Sequence, residues 1–205
     1  GFIMFDIYLR HIIDPTLNRL AFGVHKAGIT ANQLTVIGFG FGILGAVCLV
    51  FGLVFSALVC LCLNRLCDGL DGSVARLSGT DKGGFGGYLD IVLDMLVYGI
   101  WPFAFAIGSG VDGHMVAACF LLVCYLGTAS AFLALSSILS AKGVEADDKK
   151  SLIFGRGLAE GAETFAFMAL ICLVPNWFTG LCAAYGVLCL MTIAQRVHQA
   201  RTLLN

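Results

Sequence analysis

Residues 64–94 read NRLCDGLDGSVARLSGTDKGGFGGYLDIVLD, and the interpretation of the whole chain begins from this stretch. Two pairs of aspartates stand out: Asp68 and Asp71 are three positions apart, and Asp90 and Asp94 are four apart. On a helix, each of these spacings places both members of a pair on one face. Both pairs border long apolar runs, where carboxylates are costly and are usually functional.

Four carboxylates that meet in one place repel one another strongly unless they are protonated or neutralised by cations. Hard oxygen ligands of this kind suit Mg²⁺, Mn²⁺ or Ca²⁺ better than zinc. The aspartates therefore predict a divalent metal site. The competing interpretation, helix caps and surface charges, is disfavoured because Asp68 and Asp71 lie where a helix ends, and negative charge there does not help the helix dipole.

The composition excludes an ordinary soluble domain. Hydrophobic residues make up 59% of the 205 residues and charged residues only 12%, against about 25% charged residues in typical soluble chains. The mean hydropathy is +0.94. We therefore expect an all-α membrane protein with membrane lipids around it and no nucleic-acid partner.

Six apolar stretches are each near the ~20 residues that cross a bilayer. They cover about residues 31–53, a run from 55 into the first aspartate pair, 88–108, a run that ends near 140, 157–174 and 178–197. Residues 4–24 are amphipathic and too polar to span, which predicts a helix lying along the membrane interface. The expected architecture is one domain over residues 1–205, with a juxtamembrane helix in 1–28 and a six-helix bundle in 29–205.

The start of the first span carries a local signal. Thr30 and Gln33 fit a capping box, with Thr30 as the N-cap. Within this span, Gly38 and Gly42 have the small-x3-small spacing that lets helices approach closely, and Gly40 and Gly45 add further small residues.

The positive charges predict the orientation. The turns at 51–56, 109–114 and 174–178 contain no lysine or arginine, so all twelve lie on the other side of the predicted membrane. By the positive-inside rule that side is cytoplasmic. With six spans it holds both termini and the aspartates.

The stretch 68–94 resembles the signature of the CDP-alcohol phosphotransferase (CDP-alcohol phosphatidyltransferase) family, D-x2-D-G-x2-A-R-x(8 or 9)-G-x3-D-x3-D. The resemblance, to a bacterial inner-membrane member, extends to the T-x-N-Q-L-T start of the first span. Eight fixed positions match at the right spacing: Asp68, Asp71, Gly72, Ala75, Arg76, Gly86, Asp90 and Asp94.

The resemblance implies a role for each matching position. In the family, the first three aspartates bind a pair of divalent metals, and the fourth is both a ligand and the catalytic base. It follows that Asp68, Asp71, Asp90 and Asp94 would bind two Mg²⁺ or Mn²⁺ ions, with Asp94 as the base. The residues expected to contact the CDP moiety are Asp68, Asp71, Gly72, Ala75, Arg76 and Gly86.

The implied reaction moves a phosphatidyl or substituted phosphoryl group from a CDP-linked donor to an alcohol and releases CMP. CDP-diacylglycerol is the favoured donor, since six-span chains of this size resemble phospholipid synthases, and a homodimer is expected. Small residues at positions 72, 75 and 86 suit the close approach of a nucleotide, and Arg76 is a permanent cation suited to phosphate.

The acceptor half of the site is less explicit. Basic residues Lys149, Lys150 and Arg156 are candidates for a phosphorylated acceptor. Glu160 and Glu163 are equally compatible with an acceptor pocket and with a favourable charge at a helix N-terminus. Asn64 and Arg65 lie one turn before Asp68, within reach of the site.

Two other classes of protein remain open at this point. An ion- or proton-coupled carrier could use the aspartates as a relay, but it predicts acids spread across the membrane depth and an inverted repeat. An inactive relative could serve as a membrane scaffold, but the complete aspartate set disfavours it.

Overall fold

The computed structural model describes residue 17 and residues 19–79, 84–142 and 161–204. In these parts the chain is helical and contains no strand, which confirms the all-α prediction for the described residues. A helical stretch over 19–26 precedes six longer helices. These are α1 (Ala31–Val50), α2 (Val54–Ser78), α3 (Phe85–Ser109), α4 (Asp112–Ala141), α5 (Gly161–Leu173) and α6 (Phe178–Leu204), with a 3-10 turn at Pro175–Trp177.

Four helical segments are long and apolar enough to cross a membrane: Ala31–Val50, Phe85–Ser109, Asp112–Ala141 and Pro175–Leu204. The described part of α5 is apolar but only 13 residues long. Helix α2 has 25 residues, but from Arg65 onward it carries the first aspartate pair and two arginines. Every predicted span thus corresponds to a helix, although crossing is supported for four segments only.

The described residues form two compact units. The first takes in the chain up to Ala46 together with Ser56–Val97, and the second takes in Val47–Phe55 and the chain from Tyr98 onward. The first unit contains all four motif aspartates. The assignment of residues 1–205 to one domain stays a prediction.

The capping box at the start of α1 is confirmed. The backbone N–H of Thr30 donates to Oε1 of Gln33 at 2.9 Å, and the backbone N–H of Gln33 donates to Oγ1 of Thr30 at 3.3 Å. Two backbone donors that the helix itself cannot satisfy are thereby paired. The cap fixes where α1 begins, and with it the direction of the polar side chains in its first turns.

Gly28 lies in the turn between the helical stretch 19–26 and this cap. Its φ of +81° lies in the left-handed region that glycine adopts without strain. The N–H of Gly28 donates to the carbonyl of His25 at 3.0 Å, and that of Ile29 donates to the carbonyl of Val24 at 3.3 Å. These two bonds form a Schellman motif that ends the 19–26 stretch.

The 19–26 stretch packs on the rest of the first unit through a small apolar cluster. Ala21 is buried with Leu34, Leu70 and Val74. Leu20, in the same stretch, is 48% exposed. The predicted interfacial helix over 4–24 lies mostly outside the described residues.

Glycines allow α1 to approach α2 and α3. A Cβ on Gly38 would lie 3.0 Å from the Cβ of Cys67, and a Cβ on Gly42 would lie 2.6 Å from Cγ2 of Val97. Beside them, the side-chain amide of Asn64 is buried and donates to the carbonyl of Gly38 at 2.9 Å. The predicted small-x3-small pair is confirmed at positions 38 and 42, whereas Gly40 faces open space.

In the second unit, glycines likewise let α4 and α6 pack closely together. A Cβ on Gly127 of α4 would lie 2.7 Å from Cδ1 of Ile193, and a Cβ on Gly186 of α6 would clash with the ring of Phe120. Helix α5 is joined to α6 by a buried hydrogen bond of 2.8 Å between the hydroxyls of Thr164 and Tyr185.

The glycine-rich stretch LSGTDKGGFGG at 77–87 predicts a loop between the second and third spans, but the connection is shorter than expected. Helix α2 continues to Ser78 and α3 begins at Phe85, while residues 80–83 lie outside the described residues. Gly86 and Gly87 therefore belong to the first turn of α3. Glycine predicts a loop locally, but here its small size serves the close packing described below.

We expect Gly42→Ala to destabilise the protein by about 1–3 kcal/mol, the usual cost of overpacking. The added methyl group would meet Val97, which is 1% exposed and whose branched side chain has little rotamer freedom in a helix. Gly40→Ala is the matched control, because nothing lies within 4 Å of a Cβ at that position. Thermal unfolding in detergent should separate the two variants; equal melting temperatures would contradict the packing argument.

Candidate functional site

Three of the motif aspartates converge in the first unit. Asp68 comes from α2, and Asp90 and Asp94 come from successive turns of α3. One carboxylate oxygen from each lies within 4.8 Å of the others. The helical spacing predicted that each pair shares a face, and the structure shows that the two faces meet.

Asp71 lies on the same recess, one turn after Asp68. It is only 9% exposed, and its Oδ2 accepts a hydrogen bond of 2.6 Å from Oγ1 of Thr35. Thr35 also lies 3.1 Å from the carbonyl of Ala31, so the first turns of α1 fix its position. Helix α1 thus orients a carboxylate that α2 supplies.

Arg65 offsets part of the negative charge. Its Nη2 lies 2.6 Å from Oδ2 of Asp68, and its Nη1 lies 3.7 Å from Oδ2 of Asp94. The side chain therefore bridges α2 and α3. Arg65 thus contacts two of the candidate aspartates, and its part in a functional site stays a prediction.

The donor set fits divalent cations. Four carboxylates line the recess, and among the described residues around it Arg65 supplies one compensating charge. Carboxylate oxygens are the ligands that Mg²⁺ and Mn²⁺ prefer, and a strongly negative recess favours doubly charged ions. The four aspartates are the residues that would hold such ions.

A cleft of about 720 Å³ adjoins this recess. Asp71 and Asp90 line both. Three small residues of the motif, Gly72, Ala75 and Gly86, line the cleft as well. The structure therefore brings together the acidic and small positions that the sequence motif identified.

Gly86 makes the tightest approach in the cleft. A Cβ at this position would lie 2.8 Å from Oδ1 of Asn32. Asn32 and Thr35 line the cleft from the first turns of α1, although their segment predicted only a helix start and part of the family resemblance, and no site residue. A local signal existed: polar side chains three positions apart in an otherwise apolar span suggest a functional face.

Arg76 stands apart from the other motif positions. It is exposed and donates a hydrogen bond of 2.8 Å to Oγ of Ser73 in its own helix. It is absent from the described residues that line the cleft. Its contact with CDP stays a prediction.

The acceptor candidates fall largely on residues that are not described. Lys149, Lys150, Arg156 and Glu160 all lie outside the described residues. Glu163 is exposed in the first turn of α5, where negative charge is favourable. Both interpretations of Glu163 therefore remain open.

Known proteins are similar to this chain in both sequence and fold. The chain is 39% identical over 197 residues to the inner membrane protein YnjF of Escherichia coli (strain K12), covering 95% of this chain and 94% of that protein. It is also 33% identical over 101 residues to archaetidylinositol phosphate synthase of Pyrococcus horikoshii, covering 49% of this chain and 53% of that protein.

Among solved structures, the fold matches phosphatidylinositol phosphate synthase (PgsA1) of Mycobacterium tuberculosis. The crystal structure in complex with manganese and citrate gives a TM-score of 0.71 at 21% identity, covering 91% of this chain and 89% of that one. The structure with CDP-DAG bound gives 0.69 at 20% identity, covering 90% and 92%. At this identity the likeness concerns the fold.

The family assignment comes from the sequence itself. The family model described as CDP-alcohol phosphatidyltransferase matches residues 28–200, which include every residue that lines the acidic recess and all but His25 of those that line the cleft. The chain belongs to the CDP-alcohol phosphatidyltransferase family.

Proposed function

We propose that this protein is a membrane transferase of phospholipid biosynthesis that moves a phosphatidyl or other substituted phosphoryl group from a CDP-linked donor to an alcohol, with release of CMP. The observation that carries the proposal is the junction of the recess and the cleft, which share Asp71 and Asp90. A nucleotide diphosphate needs cation-binding groups at its phosphates and a close-fitting face beside them.

The proposed donor is CDP-diacylglycerol. The mycobacterial synthase of similar fold has been solved with CDP-DAG bound, and the apolar helices around the cleft suit a donor that carries acyl chains. The nucleotide would lie against Gly72, Ala75 and Gly86. The phosphates would face the recess, with Arg76 as a further contact.

The proposed cofactors are two divalent ions, Mg²⁺ or Mn²⁺, held by Asp68, Asp71, Asp90 and Asp94. The mycobacterial structure with manganese supports this choice. When bound, such ions neutralise the diphosphate and stabilise negative charge on the departing CMP.

Asp94 is the proposed general base. The acceptor oxygen forms a bond to the phosphorus that carries the diacylglycerol, the bond from that phosphorus to CMP breaks, and the hydroxyl proton passes to Asp94. Thr35 holds Asp71 in a fixed orientation at 2.6 Å. Asn32 lies against Gly86 and lines the cleft, so it would limit the size of the group that binds there.

The proposed setting is a bacterial inner membrane, crossed six times, with both termini and the site on the cytoplasmic side, where nucleotides are available. The absence of positive charge from the turns at 51–56, 109–114 and 174–178 supports this orientation. We also propose a homodimer, and an acceptor pocket built from residues 149–163.

The carrier hypothesis finds less support. A relay through the membrane would distribute acids along its depth. Here three carboxylates lie within 4.8 Å of one another, and the fourth lines the same recess.

The transferase proposal predicts CMP release. Purified protein with CDP-diacylglycerol and Mg²⁺ or Mn²⁺ should release CMP with one member of a panel of alcohols: serine, glycerol 3-phosphate, inositol, inositol phosphate and choline. Chromatography of the nucleotide and mass spectrometry of the lipid would identify the product. Absence of CMP with every donor and acceptor pair, together with cation transport in proteoliposomes, would favour the carrier.

Asp94→Asn should lower the rate of CMP release by about 10²–10⁴-fold, the usual contribution of a positioned base. The protein should remain folded, because the amide has the shape of the carboxylate, and the rates are compared at saturating metal because Asp94 is also a proposed ligand. Asp112→Asn is the matched control, since Asp112 is exposed at the start of α4. Full activity of the Asp94 variant would refute the assignment of the base.

Asp68→Asn should weaken Mn²⁺ binding at least about tenfold, since loss of even an outer partner of a metal ligand typically costs 10–100-fold. Binding can be followed without turnover, from the free Mn²⁺ signal in electron paramagnetic resonance. Unchanged affinity in this variant would exclude Asp68 as a ligand.

A further inference from the structure

The guanidinium of Arg65 lies where a bound cation would otherwise be needed to neutralise the aspartates. It lies one turn before Asp68 on α2, and its guanidinium reaches Asp68 at 2.6 Å and Asp94, on α3, at 3.7 Å. The side chain is 28% exposed, and its Nη1 atom is buried. This geometry differs from an ordinary i, i+3 surface pair, because one guanidinium joins two helices at the most acidic point of the described structure.

We propose that Arg65 is a resident counter-cation of the recess: it neutralises Asp68 and Asp94 while no divalent ion is bound, competes with the ion for Asp68, and positions Asp94. The inference rests on the proposed function and deepens it. Arg65 acts through the two aspartates and is therefore a positioning residue.

The competition follows from charge. Arginine is permanently cationic, so the positive charge of Arg65 is not removed by a change of pH near neutrality. A divalent ion that binds Asp68 must therefore approach against a positive charge that is already there. The guanidinium thus lowers the affinity of the recess for metal.

The benefit of Arg65 appears in the metal-free protein. Asp68 comes from α2, and Asp90 and Asp94 come from α3, so the repulsion among these carboxylates pushes the two helices apart. A cation that bridges α2 and α3 offsets this repulsion. A bound divalent ion would also offset this repulsion. The stabilising effect of Arg65 should therefore be smaller when metal is bound.

The test measures Mn²⁺ affinity by electron paramagnetic resonance on the full-length protein in detergent. Arg65→Gln should bind Mn²⁺ about tenfold more tightly than the unmodified protein, since it removes a competing positive charge. Arg65→Lys keeps the charge and should stay within about twofold. Arg201→Gln is the control for net charge, because Arg201 is exposed in the last turn of α6, and it should leave the affinity unchanged.

A second measurement separates this role from a merely structural one. Without metal, Arg65→Gln should melt at a lower temperature than the unmodified protein, and saturating Mn²⁺ should restore most of the difference. A structural role predicts the same loss with and without Mn²⁺. If Arg65→Gln does not give folded protein, Arg65→Met, which retains the apolar stem, takes its place.

The outcomes distinguish this inference from the proposed function. Weaker or unchanged Mn²⁺ binding in Arg65→Gln, or equal tightening in Arg65→Lys, would overturn the counter-cation role. If Asp68→Asn nevertheless lost affinity for Mn²⁺, the proposed metal site would still be supported. Unchanged affinity in Asp68→Asn would instead overturn the metal assignment itself.

Discussion

Mutual repulsion among four carboxylates is the constraint on which the first unit depends. Helices α2 and α3 must lie close enough to bring oxygens of Asp68, Asp90 and Asp94 within 4.8 Å, although charge pushes these groups apart. Close packing through α1 and the Arg65 bridge oppose the repulsion. Glycines at 38 and 42 let α1 approach both helices, and the buried Asn64 ties α2 to the carbonyl of Gly38.

The same contacts also shape the cleft. The capping box of Thr30 and Gln33 fixes where α1 begins, and Asn32 and Thr35 of its first turns line the cleft. Thr35 then holds Asp71, and Asn32 fits against Gly86 because position 86 lacks a side chain. Helix α1 thus acts as the support of the site, although it supplies none of the aspartates.

The sequence allowed most of the helices and the acidic half of the site to be predicted. Apolar runs of about 20 residues are strong signals of helices, and eight motif positions indicate the family. The roles of Asn32 and Thr35 were missed because each is a common polar residue near a helix start. The extent of the 77–87 loop was overestimated because glycine favours loops locally, while Gly86 and Gly87 are helical.

By itself, the sequence determined the all-helical class, the family and the identities of the four aspartates, because these depend on composition and on spacing along one chain. Only the tertiary structure decided that the two aspartate pairs meet, that Thr35 orients Asp71 and that Arg65 bridges Asp68 and Asp94. Spacing fixes which residues share a face of one helix. Which faces meet depends on the side chains that let the helices approach, and those contacts join residues far apart in the chain.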